Sequence, residues 1–238
     1  MKKILVVLAH PDDETFGPGA TIAKYANEGV QVDILMATRG EMGENHFDDR
    51  KVVELGKLRE EELRRADKIL GVHNIEFMGF IDGELRQNLY FDIANKIIKK
   101  IKDFKPEIVI TFEPGGVSGH LDHIAISFIT TYAYLKTNIP KKLYYNCTLQ
   151  KYREKLGQNY FVYQPDGYSE KEVTTKIDVS EFWDLKMKAM GEHRSQLKDV
   201  KRLKTMFNYL PKVDYYILKD HRLKNLKLPE EDLFNGIE

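Results

Sequence analysis

The chain reads as an α/β protein, a mostly parallel sheet between two layers of helices, and three observations carry that reading. Two apolar runs, Ile4-Leu5-Val6-Val7-Leu8 and Glu107-Ile108-Val109-Ile110-Thr111-Phe112, have the length and branching of strands buried on both faces. Such runs alternate with amphipathic helical patterns, the order of parallel strands joined by crossover helices. With 238 residues and 42% hydrophobic content, the chain can bury one substantial core, so residues 1–238 are expected to form a single domain.

Taken in order, the first strand is followed by an acidic cluster, a turn at Gly17-Pro18-Gly19 and a helix from Ala20 to Glu28 that Gly29 ends. Val30 to Ala37 is the second strand, and it runs into the polar loop Thr38-Arg39-Gly40-Glu41-Met42-Gly43. Leu55, Leu58, Ala66, Ile69 and Leu70 recur at helical intervals before Gly71. A short strand at Ile75 to Met78, a loop around Asp82-Gly83-Glu84 and a helix from about Phe91 to Phe104 lead to the run that ends at Phe112. Gly115 to Gly119 then opens a helix expected to turn Ile124, Phe128 and Leu135 inward. Pro140 to Val179 reads as short strands rich in tyrosine and threonine, broken by turns such as Gln164-Pro165-Asp166-Gly167. This is the expected C-terminal elaboration. Finally, Phe182, Leu185, Ala189, His193 and Leu197 fit one helical stripe, which would face His193 toward the core.

Composition excludes several classes of partner. Lys+Arg and Asp+Glu both total 37, so no net charge attracts the chain to nucleic acid or an anionic membrane. The lysine-rich stretches Lys198 to Lys204 and Lys219 to Lys227 read as solvated faces. The N-terminal apolar run is too short to span a bilayer or to serve as a signal peptide, and a cytoplasmic protein is expected. Cys147 is the single cysteine, which rules out an internal disulfide and reads as a packing residue in a strand. Homo-oligomerisation is compatible with the sequence but has no legible signal in it.

Chemistry concentrates at the ends of the two apolar runs, where open α/β sheets bind ligands. His10-Pro11-Asp12-Asp13-Glu14 places one histidine and three acids directly after the first strand. His10 and Asp13 can share a divalent cation through an imidazole nitrogen and a carboxylate oxygen, leaving Asp12 as a free base. A zinc site that keeps a position open needs a third protein ligand, and His120-Leu121-Asp122-His123 supplies one. Taken alone, the acidic cluster could instead be a helix N-terminus with Asp13 as its cap, and a pair of histidines three apart is common. Their joint occurrence after two strand patterns favours a metal site. The glycine-rich turn lacks a phosphate-loop lysine, and acids after the first strand would repel a dinucleotide pyrophosphate.

These residues resemble the metal-dependent N-acetylglucosamine de-N-acetylases, the PIG-L or LmbE-like proteins. The resemblance runs from Lys3 to about Gln196 through Ala9-His10-Pro11-Asp12-Asp13-Glu14, Gly19 to Ala23, Leu58 to Leu63, Gly115 to His123 and His193-Arg194-Ser195-Gln196. It implies a Rossmann-like three-layer fold, His10, Asp13 and His123 as metal ligands, Asp12 as general base, and His120 as an aid to the transition state. It also implies that Arg59, otherwise a solvated charge on its helix, contacts substrate. Leu121 stands where many relatives have proline, and Ser118 where some have an aromatic residue near the sugar.

The expected activity is therefore hydrolysis of an N-acetyl group on an N-acetylglucosamine-containing small molecule, with Zn2+ as cofactor and Fe2+ chemically acceptable to the same ligands. Asp122 is expected to hold a protonated His120 against the developing oxyanion. The alternative is a noncatalytic sugar- or nucleotide-binding module on the same scaffold, and Asp12 discriminates the two. A binder has no use for an extra carboxylate where like charges are costly.

Overall fold

A computed structural model describes residues 1–46, 54–153 and 164–237. Its strands are β1 (Lys3–Leu8), β2 (Gln31–Met36), β3 (Asn74–Phe77), β4 (Ile108–Phe112), β5 (Lys142–Cys147), β6 (Thr175–Asp178) and β7 (Val213–His221). The helices are α1 (Asp13–Phe16), α2 (Gly19–Asn27), α3 (Leu55–Leu70), α4 (Tyr90–Phe104), α5 (Leu121–Leu135), α6 (Gln150–Arg153), α7 (Trp183–Met190) and α8 (Leu197–Phe207). The strands form one sheet in the order β3-β2-β1-β4-β5-β7-β6, parallel from β3 through β5 and antiparallel beyond. Part of the Pro140 to Val179 stretch, residues 154–163, lies outside the described residues.

This order places β1 at the centre. The chain first builds outward through β2 and β3, then returns to lay β4 on the other side of β1, with Val6 in register with both Ile34 and Ile110. The crevice where the direction of building reverses opens at the carboxyl ends of β1 and β4. Both strands are apolar along their length because helices cover both faces: α2, α3 and α7 pack together in one layer, and α4 packs on α5 in the other. Ile4 to Leu8 and Ile108 to Ile110 are each at most 1% exposed. On the far side, β7 pairs antiparallel with β5. The 230–234 segment locks onto that strand: Glu230 receives hydrogen bonds from buried Lys142 and Tyr144, and Leu233 offers its carbonyl to Lys142 at 3.1 Å.

Two expectations about helix faces fail. In α5, Ile126, Ile129, Ala133 and Tyr134 are buried, while Phe128 and Leu135 are 56% and 58% exposed. The helix carries apolar residues on both sides, so helical spacing alone could not choose the core face. The stripe from Phe182 to Leu197 is also not one helix. α7 stops at Met190 and Gly191, a tight turn covers Arg194–Gln196, and Leu197 starts α8. His193 is nevertheless buried at 1% exposure, delivered by the turn between helices and not by a helix face.

Candidate metal and catalytic site

Beyond β1 the chain folds back on itself. The backbone N–H of His10 donates to Asp13 Oδ2 at 2.7 Å, so the Asp13 carboxylate is drawn back toward His10 and does not act as a helix cap. Asp12, the residue preceding the single turn of α1, has φ 122° and ψ −24°, a conformation that side chains with a Cβ rarely adopt. Local hydrogen bonds hold it there: Asp12 N–H donates to Glu14 Oε2 at 3.0 Å, and the Asp12 carbonyl accepts from Thr15 N at 3.0 Å and Phe16 N at 2.9 Å.

At the end of β4, buried Glu113 organises the glycine-rich turn by accepting from the backbone N–H groups of Gly115 and Val117, both at 2.6 Å. Gly116 has φ 69°, and a Cβ there would lie 2.8 Å from His123 Cβ, so only glycine lets the turn pass so close to that histidine. The turn in return fixes the ring. His123 Nδ1 lies 3.0 Å from the Gly116 carbonyl, and the ring stacks on Phe112 with centroids 4.2 Å apart. This arrangement holds Nδ1 at the Gly116 carbonyl and turns Nε2 toward His10 and Asp13.

His10, Asp13 and His123 converge. His10 Nδ1 lies 3.2 Å from His123 Nε2 and 3.7 Å from Asp13 Oδ2, and Asp13 Oδ1 lies 3.1 Å from His123 Nε2. Tetrahedral ligands at zinc bond lengths are separated by roughly 3.3–3.5 Å, and these residues approach that spacing with Asp13 turning Oδ2 to His10 and Oδ1 to His123, which makes them a candidate set for one divalent cation. The opposite edge of the His10 ring meets two more carboxylates, with Nε2 2.9 Å from Asp82 Oδ1 and 3.3 Å from Asp122 Oδ2. These three atoms also form a set that could chelate, as do the rings of His10, His120 and His123. The Nδ1 edge fits better. There, His123 turns Nε2 toward His10 and Asp13, and carboxylates on Nε2 are the usual orienting partners of a ligating imidazole.

The electrostatics agree. Burial opposes a charge on His10, but hydrogen bonds to Asp122 and Asp82 and the charge of Asp13 outweigh it and push the imidazole up to about 10. Burial would raise Asp13, yet His123 and His10 hold it well below the usual carboxylate range. A proton therefore occupies a cluster of anionic and lone-pair donors that a cation would satisfy.

Asp12 stands apart from this set. Burial raises its carboxyl to about 7 against the opposing charge of Arg59, a value suited to a general base at neutral pH. Arg59 is not the solvated charge expected on its helix. It is 4% exposed and lines the cavity, where Nη2 donates to Asp12 Oδ2 at 3.0 Å and to the Pro11 carbonyl at 2.7 Å, and Nη1 donates to the Gly40 carbonyl at 2.8 Å.

A further correction concerns His120. The Asp122 carboxylate does not hold it: Oδ2 turns to His10 Nε2 and accepts from Gly83 N–H at 2.7 Å. Instead, His120 is the N-cap of α5, with Nδ1 accepting from the Asp122 N–H at 3.2 Å. Burial, reinforced by the neighbouring charges of His10 and His123, pushes its imidazole down to about 4. At neutral pH His120 is uncharged, and the bond at Nδ1 assigns its proton to Nε2.

The family described as PIG-L, GlcNAc-PI de-N-acetylase, matches residues 5–134, which carry every residue named in this cluster. The chain belongs to this family. Among curated PIG-L relatives, a 1D-myo-inositol 2-acetamido-2-deoxy-alpha-D-glucopyranoside deacetylase from Actinosynnema mirum is 30% identical over 233 residues, covering 82% of this chain and 81% of the relative. Two solved structures share the fold. N,N'-diacetylchitobiose deacetylase from Pyrococcus horikoshii superposes with a TM-score of 0.67 at 23% identity, covering 90% of this chain and 82% of its own. GalB, the 4-carboxy-2-hydroxymuconate hydratase of Pseudomonas putida KT2440, reaches 0.69 at 19% identity, covering 95% of this chain and 100% of its own. A deacetylase and a hydratase thus stand on similar scaffolds, and the chemistry of the PIG-L chain described here has to be argued from its residues.

The site opens into a cavity of about 660 Å³, within the range of small-molecule pockets. Ser118 and Leu121 line it near the ligands, and Trp183, Leu203, Met206 and Phe207 line an apolar wall. Sequence reasoning missed three residues in the PIG-L cluster. Asp82 sat in an ordinary acid-glycine turn, Glu14 looked like a helix-dipole acid, and Glu113 ended a strand. Asp82 and Glu14 act through partners distant in the chain, His10 and His193, a relation that no local spacing shows, while Glu113 acts on backbone N–H groups two and four residues on, which no side-chain pattern signals. Glu41, in the polar loop after β2, braces two loops by accepting from Asp82 N–H and Arg39 N–H, both at 3.2 Å.

Proposed function

We propose that the chain is a metal-dependent hydrolase that removes the N-acetyl group from an N-acetylglucosamine-containing small molecule. One observation carries this reading. Three donors suited to a single cation converge beside Asp12, a buried carboxyl of pKa about 7 that belongs to no ligand set. A binding module gains nothing from such a group, whereas amide hydrolysis needs a base near neutral pH.

In the proposed mechanism, His10, Asp13 and His123 would hold the ion, taken as Zn2+ with Fe2+ as the alternative. When bound, it polarises the amide carbonyl and lowers the pKa of the attacking water to about 7. Asp12 takes a proton from that water and later passes one to the departing amine. The Arg59 guanidinium keeps Asp12 aimed and remains the candidate to contact a sugar hydroxyl or an anionic substituent. His120 directs its Nε2–H at the carbonyl oxygen as negative charge develops, donating as a neutral imidazole. Asp122 acts twice, its carboxylate orienting His10 and its N–H setting the His120 tautomer. A cytoplasmic setting belongs to the proposal. The free thiol of Cys147, buried and pushed upward by that burial, suits a reducing compartment.

The test combines metal analysis with acetate release from a panel of N-acetylglucosamine conjugates. One equivalent of metal and acetate release that a chelator abolishes are expected. A metal-loaded protein that binds such conjugates but releases no acetate from any of them refutes the reading.

A further inference from the structure

Glu14 and His193 are among the most deeply buried ionisable residues in the molecule, at 0% and 1% exposure, and neither belongs to a proposed ligand set. A buried ion pair is a poor way to stabilise a fold, because apolar residues of equal volume avoid the desolvation of both groups. Its geometry points to another use. The two Glu14 oxygens face opposite ways: Oε2 accepts the Asp12 N–H at 3.0 Å, and Oε1 lies 2.6 Å from His193 Nε2. His193 comes from the turn after α7, 179 residues along the chain from Glu14, and its ring packs edge-on against Phe16 of α1. A distant layer of the fold therefore grips the turn that carries Asp12.

The grip matters because of the Asp12 backbone. At φ 122°, Asp12 sits where a residue with a Cβ stays only when its surroundings over-determine it. If that turn relaxed, the Asp12 carboxylate would leave the Arg59 guanidinium and swing toward the ligands. We propose that Glu14 and His193 are positioning residues, a buried pair that locks the Asp12 backbone and so presents its carboxylate as a base and not as a ligand. This rests on the reading of Asp12 as the general base.

The test uses the full-length, metal-loaded protein and an N-acetylglucosamine conjugate that the wild type cleaves. His193→Leu fills the space without a donor, and His193→Gln restores an N–H that can reach Glu14. For His193→Leu, kcat should fall by up to about a hundredfold, the cost of a misplacement near 1 Å, with KM and metal stoichiometry little changed. His193→Gln should recover a large part of the loss. A readout without turnover is amide hydrogen exchange in the metal-free protein. The Asp12 amide should exchange about tenfold faster in His193→Leu, while Val6 in β1 keeps its protection. An unchanged kcat in folded His193→Leu, a loss of activity explained by lost metal, or unchanged Asp12 exchange would each overturn the proposal.

Glu14→Gln separates position from charge and serves if the leucine variant does not fold. Its amide keeps an acceptor for Asp12 and a donor for His193, so kcat should stay within about threefold of wild type if position governs. A larger loss with the Asp12 amide still protected shows that the charge is what matters and overturns the proposal. If the wild type releases no acetate at all, the deacetylase reading fails, and the exchange measurement still decides whether the pair holds Asp12.

Discussion

Replacing Arg59 with methionine tests the site's electrostatics and its stability together. The substitution keeps most of the side chain's length but removes three hydrogen bonds, leaving the Pro11 and Gly40 carbonyls and the Asp12 carboxylate without that donor. Removing one partner of a buried ion pair costs about 3–5 kcal/mol. In a chain of this size, 1 kcal/mol corresponds to roughly 2–4 °C, so thermal denaturation should shift down by roughly 6–20 °C. The loss should also depend on pH. Burial raises Asp12 to about 7 even with Arg59 present, and removing that cation moves it higher. For an acid raised above its unfolded value, the contribution to stability is complete below the unfolded pKa and is lost as pH rises through the folded pKa. The gap between variant and wild type should therefore be widest above neutral pH and narrow as Asp12 takes up its proton. The acid limb of kcat should move to higher pH for the same reason. Arg59→Lys should be intermediate, because one ammonium cannot reproduce the fork. A denaturation shift under about 2 °C at pH 8, or an acid limb that does not move, would refute the assignment of Arg59 as the partner of Asp12.

Three further outcomes are expected. Asp12→Asn should retain the metal and lose about a hundred- to ten-thousand-fold in turnover, and near-wild-type turnover with bound metal would exclude it as the base. Metal uptake at pH 7 must displace the proton that His10 holds with a pKa of about 10. Apparent affinity should thus tighten by about tenfold per pH unit below that value, and titration in weak buffer with a pH indicator should show proton release. His120→Ala should lower kcat by about a hundred- to a thousandfold with metal near stoichiometric. Because His120 loses its proton as pH rises through about 4, the basic limb of the rate profile should stay in place. A basic limb that moves in the alanine variant would mean that the imidazolium is the working form.

The parts of this molecule legible in sequence were those written in local pattern. β1 and β4 stood out because a strand covered on both faces is apolar throughout, and the acids and histidines that follow such strands lie at the sheet edge where α/β proteins bind ligands. Positions decided by packing between distant segments were not legible. The partners of Arg59, Gly40 and Pro11, belong to two other loops, and although its spacing from Leu63, Ala66 and Leu70 puts it on the buried face of α3, a charge in so charged a helix reads as solvated until those partners are seen. Asp122 looked like a partner for His120 because the two are close in sequence, but an N-cap geometry points the Asp122 carboxylate toward His10. The buried place of His193 was foreseen for the wrong reason, since Gly191 ends the helix whose stripe appeared to include it.

The reversal of building direction at β1 and β4 would also make a metal held in the proposed site a thermodynamic link between two parts of the chain. His10 and His123 are separated by 113 residues and have no reason to meet in the unfolded chain. An ion held by both would bind the folded state alone and would behave as a removable cross-link between the two central strands. Occupancy at a free metal concentration a thousandfold above Kd would add about 4 kcal/mol to the stability of the fold. Stripping the ion would weaken the β1–β4 seam at the middle of the sheet, so a chelator should lower the melting temperature as well as stop catalysis.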